Sequence, residues 1–150
     1  DDKKYRESQI QTNFTSVVAW MEASVQHFAL HDKGNMVVLG SVAGDRGRMS
    51  NYIYGTCKAA VEVYTEGLQH RFGKNKDINI LLVKPGFVDT PMTANITKKG
   101  FLWAKSDKIA DDVVCAIKRK KRVIYTPWFW FWIMLIIRNL PAVIFEKTRL

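Results

Sequence analysis

NMVVLGSVAGDRGRMSNYIYGTCK, residues 35–58, decides how this sequence folds. Asn35 to Leu39 is a short, mostly apolar run, the pattern of a buried strand. Gly40, Gly44 and Gly47 open the loop that follows. Ser50 or Asn51 stands where a helix would be capped, and that helix runs to about Phe72.

Working outward, residues 8–30 carry Ile10, Phe14, Val17, Val18, Met21, Val25 and Phe28 at helical spacing. Gly34 is suited to close that helix. Downstream, Gly73 to Asp77 reads as a turn and Ile78 to Val83 as a second buried strand, stopped by Pro85-Gly86. Residues 86–105 read as a long loop or lid with short helical pieces. Ser106 is placed to cap a third helix with Ile109, Val113, Val114 and Ile117 on its inner face, and Asp107 in its first turn suits the dipole. Val123 to Tyr125 is a last short strand. Helices alternating with strands predict an α/β fold, a parallel sheet covered on both faces.

A length of 150 residues fits one domain. Hydrophobic residues make up 47% and charged residues 25%, which excludes a disordered or collagen-like chain. The formal charge of +9 admits nucleic acid, an anionic membrane surface or a phosphorylated ligand. Nucleic acid is set aside, because the basic residues are not interleaved with aromatics and no docking motif appears. Cys57 and Cys115 form no CxxC pair, so neither a metal site nor a disulfide framework is expected and a reducing compartment is the default. Asp1-Asp2-Lys3-Lys4 is charged with no apolar run behind it, unlike a signal peptide, and a cytoplasmic location is expected, at the inner face of a membrane if the tail meets lipid. Trp128 to Ile137 is ten consecutive apolar residues, short of the ~20 needed to span a bilayer.

The candidates for chemistry are Tyr54 and Lys58, four residues apart and so on one face of a helix. A phenol is a poor acid near neutral pH, and a nearby ammonium is expected to lower its pKa. Ser41, 13 residues before Tyr54, follows the first strand, at the sheet edge where α/β ligands bind. Its hydroxyl is placed to bond an oxygen on which charge develops. On spacing alone, such a Tyr/Lys pair is more often a surface pair than a catalytic one.

Ser41…Tyr54-x-x-x-Lys58, followed by Lys84-Pro85-Gly86-Phe87-Val88-Asp89-Thr90 and preceded by Asn13, resembles the short-chain dehydrogenase/reductase superfamily. The resemblance covers essentially the whole chain. It implies a Rossmann-like doubly wound parallel sheet, with residues 1–150 as the C-terminal portion of one domain and an apolar tail at about 127–150. It implies Tyr54 as proton donor to a carbonyl, Lys58 as its partner and holder of the nicotinamide ribose, Ser41 as orienting group and Asn13 as holder of a relay water. Pro85, Gly86, Val88 and Thr90 would line the nicotinamide. The cofactor implied is NAD or NADP, NADP being favoured. The family's glycine-rich fingerprint has no counterpart before Asn13, so about 100 further residues are expected upstream, and this fragment alone is expected to be inactive. Asn13 as a plain helix polar residue, and Thr90 as a cap of a short helix, stay open as alternatives.

Ser41 to Arg48, Asp89 to Thr93 and Tyr125-Thr126-Pro127-Trp128 with the apolar tail are similar to the decaprenylphosphoryl keto-ribose reductases. That similarity implies a lipid-linked or otherwise apolar carbonyl substrate. Met92, Ile96, Phe101, Leu102 and Trp103 in the lid agree with a greasy ligand. The basic run Lys118 to Arg122, close before the Trp-rich tail, suggests peripheral membrane contact through 118–145. A protein interface or the core is the rival place for that tail. A homo-oligomer through helices 8–30 and 50–72 is implied by the resemblance. The competing function is a catalytically inactive binding or regulatory module.

Overall fold

The computed structural model describes residues 2–93, 96 and 100–148. Lys3–Ile10 (α1), a π-helical stretch over Gln11–Thr15 and Ser16–His31 (α2) follow one another without a break. Asp2 caps the start by accepting the Lys4 N–H at 3.0 Å. The helix therefore begins earlier than residue 8. No residue of α1 is buried, so apolar spacing gave no sign of it. Met21, Val25 and Phe28 form the buried stripe of α2. Asp32, not Gly34, takes the left-handed closing position, with φ 53. Gly34 instead begins the first strand.

Gly34–Leu39 (β1), Ile78–Pro85 (β2) and Val123–Thr126 (β5) form a parallel sheet in the order β1-β2-β5. Tyr52–Arg71 (α3) joins the first two strands, and Ser106–Lys118 (α4) precedes the third. Met36, Val38, Ile78, Ile80 and Leu82 pack against α2 and α3 on one face. Leu81 and Val83 pack against Ala116, Val113 and Ile117 of α4 on the other. The parallel sheet with helices on both faces is the predicted architecture.

Several local expectations change. β1 is buried on one face only: Val37 is 37% and Leu39 57% exposed, because α4 lies over β2 and β5. Asn51 holds the N-cap position of α3 without a capping bond, and Lys105 rather than Ser106 precedes α4. Ala116 takes the inner position expected of Val114, which is 50% exposed. The lid is not all loop and helix. Phe87–Asp89 (β3) pairs in parallel with Trp103–Lys105 (β4), and Phe87 stacks on Trp103 with centroids 5.2 Å apart. The Met92 side chain and the lid residues 94–95 and 97–99 lie outside the described residues.

The tail folds as Trp130–Asn139 (α5) and Ala142–Phe145 (α6). Trp130 and Met134 are buried against Val42, in the loop after β1. Arg46 of that loop donates to the carbonyls of Ile137 and Leu140 and lies 3.8 Å from the Phe145 ring centroid. The Ile137 carbonyl also accepts the Leu140 N–H at 3.4 Å, and Leu140 is the residue that ends α5, so the guanidinium adds a second closure to the helix end. Lys118 to Arg122 and α5 lie at opposite ends of β5, one before the strand and one after it. Closeness in sequence does not place them side by side. Among the described residues, no helix is long and apolar enough to cross a membrane.

Candidate active site

Ser41 leaves β1 in extended conformation and accepts the Ala43 N–H at 3.1 Å, starting a 3-10 turn over Val42–Gly44. α3 descends directly onto that turn. A Cβ on Gly55 would lie 2.8 Å from the Ala43 carbonyl oxygen, so only glycine lets the helix come this close. The approach sets the Tyr54 side chain beside Ser41, near enough for Ser41 to lower the Tyr54 pKa. Lys58 follows one turn later, its ammonium 5.6 Å from the Tyr54 ring centroid. Lys58 Nζ donates to the Leu39 carbonyl at 2.9 Å. Three of the predicted residues thus meet at the C-terminal end of β1.

The electrostatics differ from the expectation. Burial raises the Tyr54 pKa above that of a free phenol, and Ser41 only partly offsets this. Burial also lowers the Lys58 pKa, while Cys57 and Glu62 act in the opposite direction. The ammonium over the ring, bonded to a backbone carbonyl, does not make Tyr54 more acidic. Desolvation is the larger effect here. The phenol is held in its protonated form, which suits a proton donor.

Asn13 sits in the π-helical stretch, a feature frequent at functional sites. Its amide donates to the Gln9 carbonyl at 3.1 Å and to Gln9 Oε1 at 3.0 Å. The same Gln9 carbonyl receives the Cys57 thiol at 3.8 Å, which joins this stretch to α3 beside Lys58. Cys57 is a packing residue, buried as its helical position predicts.

Pro85 ends β2 opposite Thr126, and the Gly86 N–H donates to the Thr126 carbonyl at 3.1 Å. A Cβ on Gly86 would collide with the Trp130 indole. The tail thus gives its own reason for a glycine at this turn. Val88 and Thr90 are held by Thr93, whose hydroxyl donates to the Val88 carbonyl at 2.7 Å and accepts the Thr90 N–H at 3.1 Å. Thr93 was not singled out in the sequence. Its place three residues after Thr90 is the available signal.

Trp130 Nε1 donates to the Leu102 carbonyl at 3.3 Å, tying the tail to the lid. Beside it lies an apolar hollow of about 350 Å³ lined by Phe87, Ile96, Phe101, Leu102 and Trp103. A second hollow, of about 250 Å³ and bordered by Gln69, Phe72, Lys120 and Arg122, lies at the far end of the sheet, away from Ser41.

The sequence profile of short chain dehydrogenase matches residues 1–100. The chain belongs to the short chain dehydrogenase family. An uncharacterized oxidoreductase of Mycobacterium tuberculosis is 28% identical over 138 residues, 92% of this chain and 55% of that protein. The short-chain dehydrogenase from Sphingobium yanoikuyae in complex with NADPH superimposes with a TM-score of 0.79 at 21% identity, covering 95% of this chain and 59% of that one. The bulky-bulky ketone specific alcohol dehydrogenase from Comamonas testosteroni gives a TM-score of 0.75 at 22% identity, covering 99% and 57%. The chain spans about half the length of the curated relatives it matches. In this short chain dehydrogenase chain, the sheet and the helices on both its faces are those of the solved family structures.

Proposed function

We propose that this chain carries the catalytic half of an NAD(P)-dependent carbonyl reductase or alcohol dehydrogenase. The supporting observation is the convergence of Ser41, Tyr54 and Lys58, with the Lys58 ammonium 5.6 Å from the Tyr54 ring centroid, at the strand end where α/β ligands bind. Tyr54, kept protonated by burial, gives its proton to the substrate oxygen during reduction. Ser41 bonds the same oxygen as charge develops on it. The Lys58 ammonium has three donors, and the Leu39 carbonyl takes one. The remaining donors suit the hydroxyls of a ribose, so the residues present fit a nicotinamide nucleotide. When bound, that cofactor supplies the hydride. NADP is the favoured form, in keeping with the NADPH bound by the Sphingobium relative. Pro85, Gly86, Val88 and Thr90 line its ring. Asn13, with its amide nitrogen held by Gln9, presents its oxygen to a relay water.

The substrate is apolar or carried on a lipid, a reading supported by the hollow beside Trp130. The outer side of the tail exposes Trp128, Trp132, Leu135, Ile136 and Val143, which supports contact with a membrane surface. Trp20, Leu30 and Val63 stand exposed on α2 and α3, which supports pairing of two copies through those helices.

The test is turnover by the full-length protein on a panel of ketones running from small and polar to large and apolar. Reduction favouring the large members is expected. Cofactor binding without any turnover would leave the inactive binding module as the better account.

A further inference from the structure

Lys84 alternates onto the face of β2 that carries Ile80 and Leu82, which sends an ammonium into the protein. Lys84 is 5% exposed and Glu62, on α3, 7%. Lys84 Nζ donates to Glu62 Oε2 at 2.8 Å and also to Asp45 Oδ1. Tyr125 Oη, from β5, donates to Asp45 Oδ2 at 3.0 Å. Each carboxylate oxygen of Asp45 is thus held from a different strand. Asp45 belongs to the loop after β1 and closes the 3-10 turn over Val42–Gly44. That turn lies directly on α3: a Cβ on Gly44 would come 2.6 Å from Glu62 Oε1 and 3.0 Å from the Ala59 nitrogen.

The other end of the same turn is Ser41. The Asp45 N–H donates to the Val42 carbonyl at 3.4 Å, the Gly44 N–H to the Ser41 carbonyl at 3.0 Å, and the Ala43 N–H to Ser41 Oγ at 3.1 Å. Fixing Asp45 therefore fixes Ser41. A hydroxyl oxygen that accepts from the backbone keeps its own hydrogen for donation, so the turn sets how Ser41 meets a substrate oxygen. Stability alone gives little reason for the buried charges. Buried ion pairs are often replaceable by apolar residues at no loss, because desolvation offsets the attraction. Holding the turn in one place gives a better reason.

We propose that Lys84 is a positioning residue for Ser41. Anchored on α3 by Glu62, its ammonium grips Asp45, with Tyr125 gripping the same carboxylate from β5, and so holds the turn that presents the Ser41 hydroxyl. The tail reaches the same loop through Val42 and Arg46, an attachment separate from the cluster. Where it concerns turnover, this inference rests on the reductase reading above.

Amide hydrogen exchange in the full-length protein reads the turn through the Gly44 and Asp45 N–H groups. The Leu82 N–H, bonded to the Arg122 carbonyl at 2.8 Å, serves as reference within the sheet. Lys84→Met removes the ammonium and keeps an unbranched side chain. Exchange in the turn is expected to quicken about tenfold or more relative to the reference, since bonds to charged groups are lost. Equal quickening in turn and sheet makes the cluster a plain stability element, and no quickening means that the tail alone holds the loop. Either result overturns the inference. If Lys84→Met does not fold, Tyr125→Phe removes only the other bond to Asp45, and quickening of about threefold confined to the turn is expected. Its absence overturns the inference as well. Turnover of the same proteins separates the two readings. The kcat for ketone reduction by Lys84→Met is expected to fall about tenfold, with KM changed by no more than about twofold. A loosened turn with unchanged kcat overturns the positioning role alone. An inert wild type whose turn still loosens in the variant removes the reductase reading alone.

Discussion

The Lys58 ammonium lies over the Tyr54 ring, 5.6 Å from its centroid, and donates to the Leu39 carbonyl at 2.9 Å. The pair is stacked by helical spacing, while Ser41, which lowers the Tyr54 pKa, comes from another element. In the proposed reductase, Tyr54 and Ser41 handle the proton and Lys58 stands behind them.

Replacing Tyr54 with Phe removes the proton donor and little else, since the ring remains. Turnover by the full-length protein is expected to fall by about a hundredfold or more. Cofactor affinity, measured by fluorescence titration, is expected to stay near that of the wild type. A Tyr54→Phe protein that retains wild-type turnover would sink the assigned role.

The raised Tyr54 pKa sets the sign of the pH response. Carbonyl reduction needs the protonated phenol, so its rate holds across the neutral range and falls as pH passes the raised value. Alcohol oxidation needs the phenolate and rises with pH over the same range. Ser41 lowers the Tyr54 pKa, so Ser41→Ala is expected to move the oxidation profile to higher pH and to slow turnover by about a hundredfold. An unmoved profile would mean that Ser41 does not act on the phenol.

Two glycines of α3 make a paired stability test. Gly55 faces the Ala43 carbonyl, and a Cβ there would sit 2.8 Å from it. Gly55→Ala is expected to cost about 1–3 kcal/mol by forcing helix and loop apart. Gly67 has nothing within 4 Å of such a Cβ, so Gly67→Ala should stabilise the helix by about 0.5–1 kcal/mol. Urea unfolding of both variants gives the comparison, and equal effects would count against the close approach.

Arg46 joins the loop after β1 to the tail through the Ile137 and Leu140 carbonyls and the Phe145 ring. Arg46→Ala is expected to destabilise by about 1.5–3 kcal/mol, the range for a charged hydrogen bond. Limited proteolysis should then cut the chain after residue 140 sooner than in wild type. Unchanged cleavage would show that the tail is held by Trp130 and Met134 alone.

The exposed side of the tail is tested by sedimentation with vesicles. Binding to anionic vesicles is expected, weakened about tenfold or more by the double change Trp128→Ser and Trp132→Ser. Because Lys118 to Arg122 lie beyond the far end of β5, neutralising that run should weaken binding less. No vesicle binding by wild type would assign the tail to substrate or protein contact.

Much of this was readable from the sequence. β2 was visible as a mostly apolar run, Ile78 to Val83, because both its faces are covered. α3 and the Tyr54/Lys58 pair were visible because helical spacing is a local property. The part of α1 before residue 8 was not, since no residue of α1 is buried and Lys3 to Glu7 leave no apolar stripe. β3 and β4 were not, because three-residue strands 16 residues apart are defined by each other and by no local pattern.

The charged cluster shows the same limit. Lys84 stood at a core-facing position of a strand, and Glu62 stood one turn past Lys58. Each was a legible anomaly. That they meet each other and Asp45 depends on how α3 packs against β2, and no spacing along the chain encodes it.

By itself the sequence determined the α/β class and the parallel order of helix and strand, while the candidate residues Ser41, Tyr54 and Lys58 came from the resemblance to a family. The first two follow from periodicity and spacing, which act over a few residues. The tertiary structure decided that Tyr54 turns to Ser41, that burial raises rather than lowers its pKa, and that the aromatic tail lies against the loop after β1. These depend on desolvation and on contacts between segments distant in the chain, and both arise only when the packed molecule excludes water.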